Sequence, residues 1–215
     1  KFPKDEYFLF ANASLLNLRD EFCHELAQYR HNVNYIEWFA PGPTNDDFRN
    51  PRSRNCLAQN LRSYALSLLN LDVILITSFF EGFTDNVVTS IDFSYDLPPI
   101  VCIFYDLIPL LNPEKYLNTN LDFNLFYLDK LNQLKKFDLL LAISQSSKKE
   151  AINNLSLADN QVLNIDSACD KSIFHLKTEK NIPPIFEAKK LGDFILYTGA
   201  GDPRKNLHRL IQAYS

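Results

Sequence analysis

The strongest constraint in this sequence is the alternation of short apolar runs with segments of helical spacing. YFLFA (7–11), VNYIEWF (33–39), DVILITS (72–78), IVCIFY (100–105), LLLAIS (139–144), QVLNID (161–166) and FILYTG (194–199) are rich in β-branched, aromatic and leucine residues. Most are near-continuous rather than alternating, as strands covered on both faces are. Between them, Leu15, Leu18, Phe22, Leu26 and Tyr29 mark one helical stripe, and Leu57, Leu61, Tyr64 and Leu68 a second. Phe123, Phe126, Tyr127, Leu131 and Leu134 mark a third, with charge mostly off that face. Ser147 with Glu150 forms a capping-box pattern opening a fourth helix. Pro203 is suited to the first position of the last helix. Strand–helix alternation predicts an α/β fold with a Rossmann-like, doubly wound parallel sheet. Ligands of such sheets bind at the carboxyl ends of the strands, so the loops after strands are where function is sought.

Composition removes several alternatives. Of 215 residues, 46% are hydrophobic and 22% charged, with a net charge of -4, which is globular and gives no basic excess for a nucleic-acid partner. Four cysteines at 23, 56, 102 and 169 have no CxxC or Cys/His pairing, so reduced, mostly buried thiols are expected rather than a zinc site or a disulfide framework. No apolar run reaches the roughly 18 residues of a membrane span. His24, His31, His175 and His208 are scattered, and Trp38 is expected in the core. The chain contains no methionine and stops inside the helical pattern LIQAYS, as expected of a piece of a longer polypeptide.

The stretch 175–193 is charged and holds Pro183 and Pro184, so it reads as a linker. It separates a first domain over 1–174 from the opening of a second over 194–215. About 20 residues cannot bury a core alone.

Three strand-end loops carry candidate chemistry. In TGAGDPRKNL (198–207), Gly199 and Gly201 let the backbone approach a ligand, and the following helix start favours an anion. Arg204 and Lys205 in the first turn oppose the helix dipole unless something negative binds, with a phosphate or diphosphate as the natural candidate. The alternative is an ordinary βα turn with two solvated cations. The spacing matches neither the dinucleotide fingerprint nor a Walker loop. In FYDLIPLLNPEKY (104–116), Tyr105 and Asp106 end a strand facing the expected cleft. Tyr105 suits a sugar hydroxyl, and Asp106 can balance charge developing on a sugar ring. The alternative makes Asp106 a turn cap and Tyr105 a core-edge residue. In TSFFEGFTD (77–85), Gly82 permits a sharp turn and Glu81 can accept from an acceptor hydroxyl, or else is a solvated acid. Asp85 is expected to cap a helix beginning at Asn86. Ser144, Ser146 and Ser147 are expected to start a helix.

Five stretches in order are similar to the GT-B fold glycosyltransferases of family 4, in the branch that builds bacterial surface polysaccharides. They are DVILITSFFEGF (72–83), YDLIPLLNPEKYL (105–117), FYLDKLNQLKKFDLLLAISQSSKKE (126–150), SACDKSIF (167–174) and YTGAGDPRKNLHRLIQAY (197–214). PGP at 41–43 also resembles that branch. The resemblance implies retaining transfer of a sugar, mannose or another hexose, from a nucleotide-sugar donor to a growing polysaccharide or lipid-linked glycan. It implies no metal and no other cofactor, and no nucleic-acid partner. A cytoplasmic location is implied, either free or peripheral at the inner face of the plasma membrane.

On this resemblance 1–174 is the acceptor-side domain, lacking the first strand and its glycine-rich loop, and 194–215 opens the donor-binding domain. Gly199, Gly201, Arg204 and Lys205 then bind the donor diphosphate, with Ala200 where the family often has arginine and Arg204 as the nearby substitute. The family's histidine–aspartate pair falls at Tyr105–Asp106, the catalytic candidates, with tyrosine in place of histidine. Glu81 and Gly82 fall on the acceptor side. Ala168 replaces the glycine of the linker motif before Cys169–Asp170. The paired glutamates of the second domain would lie beyond Ser215, so these residues alone are expected to be inactive. The competing readings are a non-catalytic GT-B-like binding or scaffold module in a glycan-assembly complex, and an unrelated doubly wound nucleotide- or phosphate-binding protein.

Overall fold

The computed structural model describes residues 5–14, 20, 24, 32–46, 52–169, 195–199 and 205–214. The chain divides into two compact units, Lys1–Ser167 and Ala168–Ser215.

In the first unit, β1 (Tyr7–Asn12) pairs parallel with β2 (Val33–Trp38), placing Asn12 beside Trp38. A second, all-parallel sheet has the order β3 (Ile74–Ile76), β4 (Ile100–Phe104), β5 (Leu139–Ala142), β6 (Val162–Asn164). Between these strands run α1 (Arg52–Ser67), α2 (Ile108–Leu111), α3 (Pro113–Tyr116), α4 (Leu121–Leu134) and α5 (Gln145–Leu155). The architecture is therefore mixed α/β with parallel sheets, the pattern expected of a Rossmann-like domain. No helix among the described residues is long and apolar enough to cross a membrane.

The strands are not covered equally on both faces. Ile74, Ile76, Ile100, Cys102, Phe104, Leu140, Ala142 and Val162 point into one core, whereas Leu75 on β3 and Leu163 on β6 are exposed. The outermost strands of this sheet thus bury one face, and their apolar runs look more buried in sequence than they are. Trp38 is buried in a smaller cluster with Ala40, Ala58 and Val88, its ring stacked on Phe10 at 6.1 Å.

The helices follow the sequence unevenly. Helix α4 buries Phe126, Tyr127, Leu131 and Leu134, as its spacing predicts, and its start is capped by Asn120 accepting from the Phe123 N–H at 3.0 Å. Helix α1 is rotated from its expected face: Leu57, Tyr64 and Leu68 are 50%, 49% and 67% exposed, while Ala58, Ser63 and Leu66 are buried. Small residues let this helix approach its neighbours closely, which the count of large apolar side chains misses. Helix α5 is capped by Ser144, which accepts from the Ser147 N–H at 3.1 Å, so Ser147 is its third residue and not its cap. No helix begins at Asn86. Asp85 instead accepts from the N–H groups of Gly82 (3.3 Å) and Val87 (2.9 Å), closing a turn. Of the described cysteines only Cys102 is buried, and Cys56 and Cys169 are exposed.

In the second unit, residues 195–199 form no strand, contrary to the reading of FILYTG. Helix α6 spans Leu207–Tyr214 and begins after Lys205, so Lys205 precedes the first helical turn. Pro203, the stripe from Leu15 to Tyr29 and the linker 175–193 lie outside the described residues.

Candidate functional site

Two strand ends of the first unit carry the candidate residues. At the end of β4, Tyr105 is 51% exposed and Asp106 is half-buried. Tyr105 is therefore no core-edge residue. Asp106 Oδ1 accepts from the Ile108 N–H at 3.0 Å, which caps the turn and fixes the carboxylate. Helix α5 holds this turn from a distance in sequence. Ser147 Oγ donates to the Tyr105 carbonyl at 2.6 Å, and the Leu107 N–H donates to Glu150 Oε2 at 3.2 Å. Both are charge-assisted or short contacts of the kind that lock a loop. Beneath them lies Tyr127, whose hydroxyl is pushed up by burial and by the Asp106 and Glu150 charges.

At the end of β3 the chain makes a longer excursion. Ser78 Oγ donates to Glu81 Oε1 at 2.8 Å, which orients an otherwise exposed carboxylate. Gly82 has φ +99°, and a Cβ there would collide with the Val87 carbonyl oxygen, so only glycine fits. The Asp46 N–H donates to the Gly82 carbonyl at 2.8 Å. Thr44 is tied to Asn86 by its N–H (2.9 Å) and its hydroxyl (2.7 Å), and Asn55 of α1 donates to the Thr44 carbonyl at 2.8 Å. The segment after β2 and the loop after β3 are thereby zipped together.

A small polar recess opens beside Glu81 and Gly82, with Lys130 of α4 in its lining. Lys130 is 4% exposed and donates to Thr89 Oγ1 (2.7 Å) and Ser90 Oγ (2.8 Å). Burial, then the Arg62 charge, lowers it from 10.5 to about 7. Burial also lowers Arg62, to about 10; its Nη1 donates to the Thr89 and Ser90 carbonyls at 3.3 Å each. Sequence reasoning missed Lys130, although it stands four residues after Phe126 and four before Leu134, on the buried stripe. Ser147 and Glu150 carried no comparable signal, because their contacts lie 42 and 43 residues away.

In the second unit, Gly199 has φ +154° and Lys205 is exposed just before Asn206 and α6. Gly201 and Arg204 lie outside the described residues. Among the described residues, no group of three or more His, Cys, Asp or Glu side chains is placed to hold a metal ion.

No protein-family model matches the chain. It is similar to serotype-specific mannosyltransferases WbdA of Escherichia coli. One is 37% identical over 164 residues, which is 75% of this chain and 20% of the relative; another is 38% identical over 166 residues, again 75% and 20%. The matched region thus spans about one fifth of the curated relatives.

Proposed function

We propose that this chain is part of a retaining glycosyltransferase of the GT-B type that transfers mannose, or another hexose, from a nucleotide-sugar to a growing bacterial surface polysaccharide or lipid-linked glycan. The observation that carries this reading is the 37–38% identity to mannosyltransferases over three-quarters of the chain. The parallel sheet supports it, because its strand ends present Tyr105–Asp106 and Glu81–Gly82 where ligands of such sheets bind.

In this reading the first unit holds the acceptor. Asp106, fixed by the Ile108 N–H, balances positive charge on the reacting sugar ring, and exposed Tyr105 hydrogen-bonds a sugar hydroxyl. Glu81 accepts from an acceptor hydroxyl. The second unit supplies Gly199, Gly201, Arg204 and Lys205 to the donor diphosphate, whose leaving group is doubly anionic and is stabilised by fixed cations without a metal. The enzyme works in the cytoplasm.

The test uses the intact polypeptide that carries these residues, assayed for transfer from GDP- and dTDP-sugars. Asp106→Asn keeps an oxygen for the Ile108 N–H and is expected to lower kcat at least a hundredfold with an unchanged melting temperature. Lys205→Ala is expected to raise the donor KM. Full activity in Asp106→Asn, or no transfer by the unaltered protein, refutes the reading.

A further inference from the structure

The recess beside Glu81 has a chemistry that a packing role for Lys130 does not explain. Its interior, about 10 Å³, admits one water-sized group. Lys130 Nζ lies over the rings of Phe79 and Phe126, at 4.7 and 5.3 Å. An ammonium has three N–H donors, and the hydroxyls of Thr89 and Ser90 take two. The Asp46, Asp129 and Asp85 charges act on Lys130, yet its side-chain hydrogen bonds go to two neutral hydroxyls. A buried cation held by neutral hydroxyls is costly, and an apolar side chain of the same length would fill the space at lower cost.

The rest of the lining selects the kind of group that enters. Asp46, Glu81 and Asp129 bring three carboxylates, and Asn55 and Gln59 bring amides. Three carboxylates repel a phosphate or a carboxylate. A hydroxyl suits both sides, since it accepts from Lys130 and donates to a carboxylate. Phe126 offers an apolar wall for the carbon that bears it.

We infer that this recess is an acceptor subsite that holds one hydroxyl of a pyranose, with Lys130 donating to its oxygen and its O–H donating to Glu81 or Asp129. This assignment rests on the glycosyltransferase reading above and adds to it the residue and the single hydroxyl it selects. The ammonium keeps its third N–H for the sugar oxygen; the neutral amine, with two N–H groups, keeps one for it when Ser90 Oγ donates to the nitrogen lone pair.

The test titrates methyl α-D-mannopyranoside, the simplest mimic of a chain end left by mannose transfer, against the intact polypeptide by ligand-observed NMR. Its four monodeoxy analogues are titrated alongside. Lys130→Met is expected to bind the parent sugar at least tenfold more weakly. One analogue is expected to lose about as much against the unaltered protein and to lose nothing further against the variant. Equal affinity in Lys130→Met and the unaltered protein, or no binding of the parent sugar, overturns the assignment. If Lys130→Met does not fold, Glu81→Gln, whose side chain is exposed, carries the comparison: a loss for the parent sugar absent for one analogue supports the subsite, and no such pattern removes it. If transfer from GDP-mannose persists while these losses are missing, the subsite alone falls. If the losses appear but no nucleotide-sugar supports transfer, the recess remains a sugar site and the transferase reading falls.

Discussion

The two strand ends of the first unit reach order by different means. The turn after β4 is short and is held by side chains of another element, Ser147 and Glu150 of α5. The loop after β3 is long, has no helix, and is held by the segment after β2 through Asp46 and Thr44, by Asp85 closing its turn, and by Lys130 and Arg62 beneath Thr89 and Ser90. One loop is positioned by a neighbour and tolerates change in its own exposed side chains. The other depends on a glycine conformation and on buried charge, so its geometry and its stability are hard to separate.

That contrast can be broken most severely at Gly82. Gly82→Ala drives a methyl into the Val87 carbonyl oxygen at φ +99°, and backbone strain of this kind costs on the order of 3 kcal/mol. Urea unfolding is expected to show a loss of about that size, and a variant as stable as the parent would show that the loop is not fixed by its backbone.

A smaller effect separates the loops by pH. Lys130 is held near 7 in the folded chain, against 10.5 in the unfolded one. Between these values the unfolded chain keeps a proton that the folded chain has released, so stability rises with pH, by at most ~1.4 kcal/mol per pH unit. Below pH 7 the penalty is complete. Arg62, Asp46, Asp129 and Asp85 surround the group and modulate the midpoint. The stability difference between Lys130→Met and the parent is expected to shrink as pH rises from 7 to 9. A difference that stays constant would mean that Lys130 does not titrate in this window.

The smallest expected change lies at the β4 end. Ser147→Ala removes the bond to the Tyr105 carbonyl and is expected to cost about 1 kcal/mol in thermal unfolding. Activity of the intact polypeptide should fall by more than this loss of stability explains, since the Tyr105–Asp106 turn loses its support. Equal losses in both would make Ser147 a packing residue only.

The sequence exposes these features to different degrees for physical reasons. The strand IVCIF and the face of α4 are legible because branched and aromatic residues recur at the period of their element. The face of α1 is misread because Ala58 and Ser63 take the close positions and leave Leu57 and Tyr64 outside. The positions of Tyr105 and Asp106 at a strand end follow from the strand pattern. Their anchoring by Ser147 and Glu150 depends on chain crossing, which local periodicity does not encode. A helix after Asp85 is a natural reading of an acidic cap, yet the same carboxylate satisfies two N–H groups of a turn equally well.

The order of the four-stranded sheet matches the order of its strands along the chain, each strand lying beside its predecessor. A ribosome delivers the segments in the sequence in which they dock, and every newly emerged strand finds a waiting edge. Assembly of this sheet can therefore proceed by simple addition, with no earlier pairing to undo.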